Sequence, residues 1–172
     1  MGINSFWLFY IEADSVLVSL ISWGNGRYYV ASIGPRVECD IDNSQSLQKA
    51  ADKSLSSAAT SADITEDQEP MFVGLVIPSS WVGVDGKITK ERSDIILPLL
   101  KELDLKPSGF MSNDEAIIEE SNKPDDFPAS FINLYLESNA FELSLIYLGK
   151  IKKRIKKVII FSDYLFQIIL IN

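Results

Sequence analysis

The side chains of this chain that could do chemistry are carboxylates, hydroxyls and amines, because it has no histidine and only one cysteine, Cys39. Without histidine there is no Ser-His or Cys-His pair for nucleophilic catalysis and no zinc site with an imidazole ligand. A single thiol cannot form an intrachain disulfide, and one thiol does not make a zinc site. This cysteine usage is typical of a reducing compartment, so we expect a cytoplasmic protein.

Carboxylates and hydroxyls recur in two segments that resemble each other. Residues 6–24 read FWLFYIEADSVLVSLISWG and residues 131–149 read FINLYLESNAFELSLIYLG. Aligned without a gap at an offset of 125, 7 of the 19 positions are identical. The identical pairs are Phe6/Phe131, Tyr10/Tyr135, Glu12/Glu137, Ser19/Ser144, Leu20/Leu145, Ile21/Ile146 and Gly24/Gly149. The pattern predicts one hairpin architecture used twice. The alternative is that two apolar hairpins share residue types only because strands favour the same residues.

The first copy is predicted to open a three-strand antiparallel meander. Apolar runs at 6–12 and 16–23 indicate buried strands, with Asp14 and Ser15 in the turn between them. Residues 24–26 (Gly-Asn-Gly) tolerate positive φ and predict a tight hairpin turn, and a third strand is expected over 27–37.

The following residues predict helices packed on a mixed sheet. A helix over about 45–59, capped by Asn43 or Ser44, would carry its apolar stripe on one face. The stripe consists of Leu47, Ala50, Ala51, Leu55 and Ala58. Next we expect a loop over 59–70, a doubly buried strand over 71–77, a turn or short strand over 81–89, a helix over 93–103 interrupted by Pro98, a connector over 106–109, a short strand at 110–111 and a helix over 114–120.

Two prolines and few apolar residues mark 121–128 as a boundary. The predicted organisation is a first lobe over 1–126 and a partial second lobe over 127–172. The second lobe would hold the repeated hairpin 131–149, a basic run 150–157 and an apolar tail 158–172. Mixed strand and helix alternation predicts the α/β class.

This order of elements, with its recurrence at 125 residues, resembles the actin-like ATPase superfamily. Three passages carry the likeness: YIEADSVLVSLISWGNGRYYVASIG, EPMFVGLVIPSSWV and LLKELDLKPSGFMSNDEAI, with FINLYLESNAFELSLIYLGK like the start of a second lobe. Within the superfamily the chain is most similar to FtsA of cell division, PilM of type IV pilus assembly and the cytoplasmic domain of GspL of secretion. The resemblance implies an actin-like (ribonuclease H-like) lobe with a three-strand meander and helices, followed by the start of a duplicated lobe that is unfinished in 172 residues.

Each meander turn of the active family members carries an Asp and a Gly that hold magnesium and nucleotide phosphates. The matching positions here make Glu12, Asp14, Ser15, Glu137 and Ser138 the candidate cofactor-binding residues, as remnants of two phosphate turns. Neither turn contains glycine, and Tyr135 stands where the second Asp is expected. A Cβ where phosphate must approach costs about 1 kcal/mol or more. Glu12 and Glu137 are alternatively solvated turn residues or partners of a basic side chain.

The basic run KIKKRIKK holds six of the 16 basic residues, whereas residues 1–149 carry 10 basic and 23 acidic residues, a net charge of −13. A net charge this negative disfavours binding to nucleic acid. The run is interpreted as a solvated edge strand, or as a contact to anionic lipid or a protein partner. Its candidate contact residues are Lys150, Lys152, Lys153, Arg154, Lys156 and Lys157. The apolar tail is too short to span a membrane but fits a peripheral anchor at the inner membrane.

Together these features predict a non-catalytic actin-like scaffold in a membrane-associated assembly, such as a type IV pilus, secretion or cell-division apparatus. It would bind protein partners and no cofactor. Two alternatives stay open. One is an active ATPase that binds ATP and Mg²⁺ through Glu12 and Glu137, and the other is an unrelated small α/β binding module.

Overall fold

A computed structural model of the chain describes residues 5–121, 130–136, 140–162 and 165–168. The chain divides into two compact units, 1–112 and 113–172. The predicted boundary between residues 126 and 127 lies outside the described residues. The division found in the structure comes earlier, because the helix that begins at Asn113 groups with the second unit.

The first unit opens with the predicted antiparallel meander. It consists of β1 (Ser5–Ile11), β2 (Ser15–Gly24) and β3 (Arg27–Ile33). Asn25 and Gly26 between β2 and β3 have φ of 53° and 77°, as a two-residue hairpin turn requires. The continuous third strand predicted over 27–37 is wrong. Residues 34–36 interrupt the strand, because Pro35 has no N–H to donate to a strand ladder. The short β4 (Val37–Glu38) follows and pairs with the start of β2.

Helix α1 (Ser44–Ser61) covers one face of this meander. It begins at Asn43, whose side chain accepts hydrogen bonds from the backbone N–H groups of Gln45 and Ser46, both at 3.1 Å. The predicted apolar stripe is buried throughout. The helix continues two residues beyond the predicted end at residue 59, into the stretch predicted to be a loop.

Two parallel strands extend the sheet beyond β1. These are β5 (Phe72–Ile77), which pairs with β1, and β6 (Lys106–Ser112), which pairs with β5, with helix α2 (Lys90–Glu102) between them. The order is β3-β2-β1-β5-β6. Side chains of β1, β2 and β5 form one buried core with those of α1 and α2. The core includes Trp7, Phe9, Val18, Leu20, Leu47, Leu55, Val73, Ile96 and Leu100.

Two predictions made around prolines are wrong. Helix α2 begins before the predicted residue 93 and is continuous through Pro98. Pro98 lies exposed on the solvent side of the helix, where water can hydrate the backbone carbonyl that loses its amide partner. Strand β6 includes the residues predicted as the connector 106–109. Pro107 is tolerated because β6 is the edge strand of the described sheet and pairs across a register shift beside it.

The second unit contains α3 (Asn113–Ser121) and an antiparallel sheet. Its strands are β7 (Phe131–Leu136), β8 (Ala140–Tyr147), β9 (Lys150–Ser162) and β10 (Leu165–Ile168), in the order β10-β9-β8-β7. The basic run lies in β9, which is an inner strand between β8 and β10 and not the edge strand that was expected. Residues 150–157 pair with β8, and residues 159–162 pair with β10.

The two hairpins share one register. Phe6 lies opposite Ile21 in the first hairpin, and Phe131 lies opposite Ile146 in the second, so both partners are displaced by 125 residues. A register shift falls between Leu20 and Ile21 in β2, and at the equivalent place between Leu145 and Ile146 in β8. The predicted repeat of the hairpin is therefore confirmed.

One identical pair of the repeat is not equivalent in structure. Gly24 ends β2, whereas Gly149 is the second residue of a turn and has φ of 67°. Its counterpart in conformation is Gly26, and Leu148, with φ of 50°, corresponds to Asn25. The turn between β8 and β9 therefore comes two residues earlier than the alignment by sequence places it.

Candidate functional site

The turn between β1 and β2 is closed by its own side chains. The backbone N–H of Glu12 donates to the carbonyl oxygen of Ser15 at 2.8 Å. The Ser15 hydroxyl donates to Glu12 Oε2, also at 2.8 Å. Both residues are buried. The hydroxyl predicted to face a phosphate is thus directed at a neighbouring carboxylate.

Arg36 completes this cluster from the segment between β3 and β4. Its Nη1 forms an ion pair and hydrogen bond with Glu12 Oε2, the same oxygen that Ser15 contacts. The structure therefore places a basic side chain on Glu12, in agreement with one of the two interpretations of this residue. A carboxylate held by a guanidinium and a hydroxyl has less of its charge and fewer of its lone pairs available to a metal ion.

Tyr10 lies next to this cluster at the end of β1. Burial raises the pKa of the Tyr10 phenol, the negative charge of Glu12 raises it further, and Arg36 opposes the shift. The phenol is therefore held in its neutral form.

Asp14 forms the outer part of the turn and is exposed. Its backbone carbonyl accepts a hydrogen bond from the N–H of Cys39 at 2.8 Å, which holds the chain after β4 against the turn. Burial raises the pKa of the Cys39 thiol to about 11, and Asp14 and Asp40 add to this by disfavouring a nearby thiolate. None of the four residues from Glu12 to Ser15 has a positive φ, so this turn does not require glycine.

The matching turn of the second hairpin contains Glu137 and Ser138. Both lie outside the described residues.

A buried carboxylate in the second unit was not found from the sequence. Asp114, at the start of α3, is 2% exposed. Its Oδ2 accepts hydrogen bonds from Ser144 Oγ and Arg154 Nε, each at 2.8 Å, and its Oδ1 accepts one from Asn133 Nδ2 at 3.1 Å. These contacts attach α3 to the β7–β9 sheet.

Two signals in the sequence pointed toward this cluster. Ser144 is one of the identical residues of the repeat, and Arg154 is the only arginine in a run of lysines. A bidentate guanidinium is preferred over an ammonium where a carboxylate is buried. Among the described residues, no group of three or more His, Cys, Asp or Glu side chains is arranged to hold a metal ion.

The basic run is divided between the two faces of β9. Arg154 points toward Asp114 and lies 4.0 Å from Glu142 Oε1, so it serves the interior of the second unit. Lys150, Lys152 and Lys153 are exposed. A contact of these lysines with lipid or with a protein partner stays a prediction, as does the contribution of Lys156 and Lys157.

The first unit also contains a mostly apolar groove of about 260 Å³ between α2 and the β5–β6 edge. It is lined by Leu75, Ile88, Ile96, Leu97, Leu100, Pro107 and Phe110, with Ser93, Ser108 and Gly109. No charged side chain lines it, and it is separate from the β1–β2 turn.

Comparison with solved structures shows the class of fold. One similar structure is EutJ, the ethanolamine utilization protein of Carboxydothermus hydrogenoformans. The match covers 92% of this chain and 53% of the EutJ chain at 8% sequence identity, with a TM-score of 0.55. MreB5 of Spiroplasma citri bound to AMPPNP matches 91% of this chain at 11% identity, with a TM-score of 0.57, and the form bound to ADP matches 89% at 12% identity, with a TM-score of 0.54. These neighbours belong to the actin-like ATPase superfamily, so the chain has an actin-like fold.

The chain spans about half the length of these solved structures: 53% of EutJ and of the AMPPNP form of MreB5, and 51% of the ADP form. No protein-family model and no curated protein sequence matches it. None of the helices in the described part of the chain has the length and apolar character needed to cross a membrane.

Proposed function

We propose that this chain is a non-catalytic actin-like scaffold in a membrane-associated assembly, of the kind to which FtsA, PilM and GspL belong. The observation that carries the non-catalytic part is the closed β1–β2 turn. Glu12 accepts a hydrogen bond from Ser15 and pairs with Arg36, and no glycine opens the backbone toward a phosphate. Nucleotide-binding turns need free backbone N–H groups and close approach of the phosphate.

The place of the scaffold follows from charge. The exposed Lys150, Lys152 and Lys153 contrast with the net charge of −13 over residues 1–149. A cluster of lysines next to an acidic body favours a peripheral contact with an anionic membrane or an acidic protein, and disfavours nucleic acid. We therefore propose a cytoplasmic protein that works at the inner membrane through protein partners.

The experiment is a calorimetric titration of the full chain with Mg-ATP, beside an actin-like protein that binds nucleotide under the same conditions. We expect no saturable binding below about 1 mM, which corresponds to less than about 4 kcal/mol of binding free energy. Micromolar affinity would contradict the non-catalytic assignment. Arg36→Ala is a useful second variant, because it releases Glu12 while leaving Ala13 and Asp14 in place. We expect that it too binds no nucleotide.

An active ATP-binding protein is the second candidate, and it is favoured by the likeness to MreB5 structures that contain AMPPNP and ADP. It predicts turnover that is lost in Glu12→Gln or Glu137→Gln. Phosphate release by the wild-type chain and its loss in either variant would support this candidate. The third alternative, an unrelated α/β module, is set aside because the chain has an actin-like fold.

A further inference from the structure

The sheet of the second unit has an apolar face that is open to solvent. Ile132 lies opposite Leu145, and Leu134 lies opposite Leu143. Ile155 lies opposite Leu143 on the other side. Directly opposed residues of antiparallel strands project from the same face. We call the set Ile132, Leu134, Leu143, Leu145 and Ile155 the β7–β9 apolar face.

Three side chains of this face are largely exposed: Ile132 at 67%, Leu134 at 54% and Leu145 at 45%. Tyr147, which alternates onto the same side of β8, is 54% exposed. Large contiguous apolar surface is unusual on a soluble protein and marks an interaction site. The other side of the same sheet, by contrast, is occupied by α3 through Asp114 and Ser144.

The internal repeat shows what covers such a face. At an offset of 125, Ile132, Leu134, Leu143 and Leu145 correspond to Trp7, Phe9, Val18 and Leu20. These four residues are between 0% and 4% exposed and form the core beneath α1 and α2.

Helix α1 lies on β2 and β3, next to Val18. The N–H of Val18 donates to Ser54 Oγ at 2.9 Å, and the Ser32 hydroxyl donates to the carbonyl of Ala58 at 2.8 Å. A helix therefore packs on the meander of the first copy, whereas no helix among the described residues covers the matching side chains of the second copy, of which Ile132, Leu134 and Leu145 are exposed.

The charges at the rim define the occupant further. Lys153 lies opposite Leu145, on the apolar face itself, and Lys150 and Lys152 are exposed at the same end of β9. The solvent side of α1 carries Lys49 and Lys53. A helix with these lysines would face like charge, so a matching helix needs acidic residues on its flank.

We propose that the β7–β9 apolar face is a docking site for an amphipathic helix. Its stripe would be built from leucine and small residues in the pattern of α1, and its flank would be acidic. Helices that lay an apolar face on a hydrophobic surface are a recurrent mode of recognition. This inference goes beyond the proposed function, because it depends on the register of β7–β9 and not on the nucleotide turn.

The test uses the full chain and two labelled peptides of residues 43–62, both held helical by a hydrocarbon staple across the exposed positions 52 and 56. One peptide keeps Lys49 and Lys53, and the other carries Lys49→Glu and Lys53→Glu, so the two differ in the sign of their charge. Fluorescence anisotropy during titration with the chain measures the affinity. We expect saturable binding of the acidic peptide and about tenfold weaker binding of the basic peptide, a difference that shrinks at high salt.

Leu134→Asp is expected to weaken binding of the acidic peptide by about tenfold or more, because it removes one buried leucine contact. Lys153→Glu should weaken it by about threefold, the usual size of one rim charge. Val84→Asp, at a fully exposed residue of the first unit, is the matched control and should change nothing. Circular dichroism of each variant verifies the fold.

Three outcomes would overturn the proposal. The first is no saturable binding by the acidic peptide. The second is binding that neither Leu134→Asp nor Lys153→Glu weakens. The third is binding of the chain to phosphatidylserine vesicles, or dimerisation of the chain, that depends on Leu134 while neither peptide binds, since the occupant would then be a lipid surface or a second copy.

Discussion

Tyr10 and Tyr135 occupy equivalent places in two hairpins of the same register. Tyr10 lies opposite Leu17, and Tyr135 lies opposite Glu142, so both members of the pair are displaced by 125 residues. The two strands have the same connection, because each is the first strand of an antiparallel pair. The likeness of the two segments is therefore a likeness of structure as well as of residue type.

The turn between β8 and β9 should become more stable when Leu148 is replaced by asparagine, the residue at the equivalent position of the turn between β2 and β3. Leu148 has φ of 50° and is half exposed, whereas the equivalent Asn25 has φ of 53°. A leucine in the left-handed region costs about 1–2 kcal/mol, and Asn tolerates this conformation. We expect Leu148→Asn to stabilise the second unit by about 1 kcal/mol and to slow amide hydrogen exchange in β8 and β9.

The reciprocal change, Asn25→Leu, should destabilise the first unit by a similar amount. Tryptophan fluorescence reports on that unit, because Trp7, Trp23 and Trp81 all lie in it. If Leu148→Asn lowers stability, the assignment of equivalent turn residues is wrong.

Asp114→Asn should loosen the attachment of α3 to the β7–β9 sheet. The substitution keeps the shape of the side chain but removes its charge, and it places an N–H₂ group against donors from Ser144 or Asn133. We expect a loss of about 2 kcal/mol, less than the loss of about 3–5 kcal/mol for a fully buried pair, because the Arg154 side chain is 30% exposed. Faster hydrogen exchange in α3 and β7 is the direct readout.

Asp42→Asn is the control for this prediction. Asp42 also pairs with an arginine, Arg92, but its side chain is 69% exposed, and exposed ion pairs contribute about 0–1 kcal/mol. Equal losses of stability in the two variants would mean that the Asp114 cluster contributes no more than a surface pair.

Gly34→Ala should be severe, because α1 packs directly against this glycine. An added Cβ would lie 2.1 Å from the backbone oxygen of Ser54 and 2.7 Å from its hydroxyl. Ser54 is itself held by Val18 N–H and by the carbonyl of Pro35, to which it donates at 2.8 Å. We expect a loss of about 3 kcal/mol in urea unfolding.

Gly109→Ala is the matched substitution at a site where an added Cβ meets no atom within 4 Å. It should leave stability within about 0.5 kcal/mol of the wild type. Adding Ser54→Ala to Gly34→Ala should not restore stability, since the nearest obstacle is a backbone atom. Restoration by Ser54→Ala would show that the hydroxyl, and not the helix backbone, sets the spacing.

Cys39 should react slowly with iodoacetamide at neutral pH. Burial raises the pKa of its thiol to about 11, with Asp14 and Asp40 adding to the shift, and the thiolate is the reactive form. Against a free thiol with pKa of about 8.5, we expect a rate about three-hundredfold lower at pH 7.5, rising with pH to about 11. Asp14→Asn should raise the rate at neutral pH, and a rate equal to that of a free thiol would contradict the shift.

The raised pKa of the Cys39 thiol also determines how the free energy of unfolding changes with pH. The folded state keeps the thiol protonated more strongly than the unfolded state does. Its contribution to stability is therefore complete below about pH 8.5 and is lost as pH rises toward about 11. Cys39→Ala should remove this part of the alkaline loss in a pH series of urea unfolding curves.

Local patterns allowed the sequence to predict several elements correctly. The apolar runs of β1 and β2, the Asn25-Gly26 turn and the stripe of α1 all depend on neighbours within a few residues. Predictions failed where context over longer distances decides. Pro98 is accepted inside α2 because it lies on the solvent side, and Pro107 is accepted in β6 because that strand is an edge.

The sequence by itself determined that one hairpin is used twice, because an apolar strand and its turn are properties of short stretches of chain. Only the tertiary structure decided which partner each charge receives. Arg36 reaches Glu12 from 24 residues away and Arg154 reaches Asp114 from 40, and no local pattern encodes such approaches. The tertiary structure also decided that Phe9 is buried beneath helices while its counterpart Leu134 faces solvent, since burial depends on what packs against a strand and not on the strand's own residues.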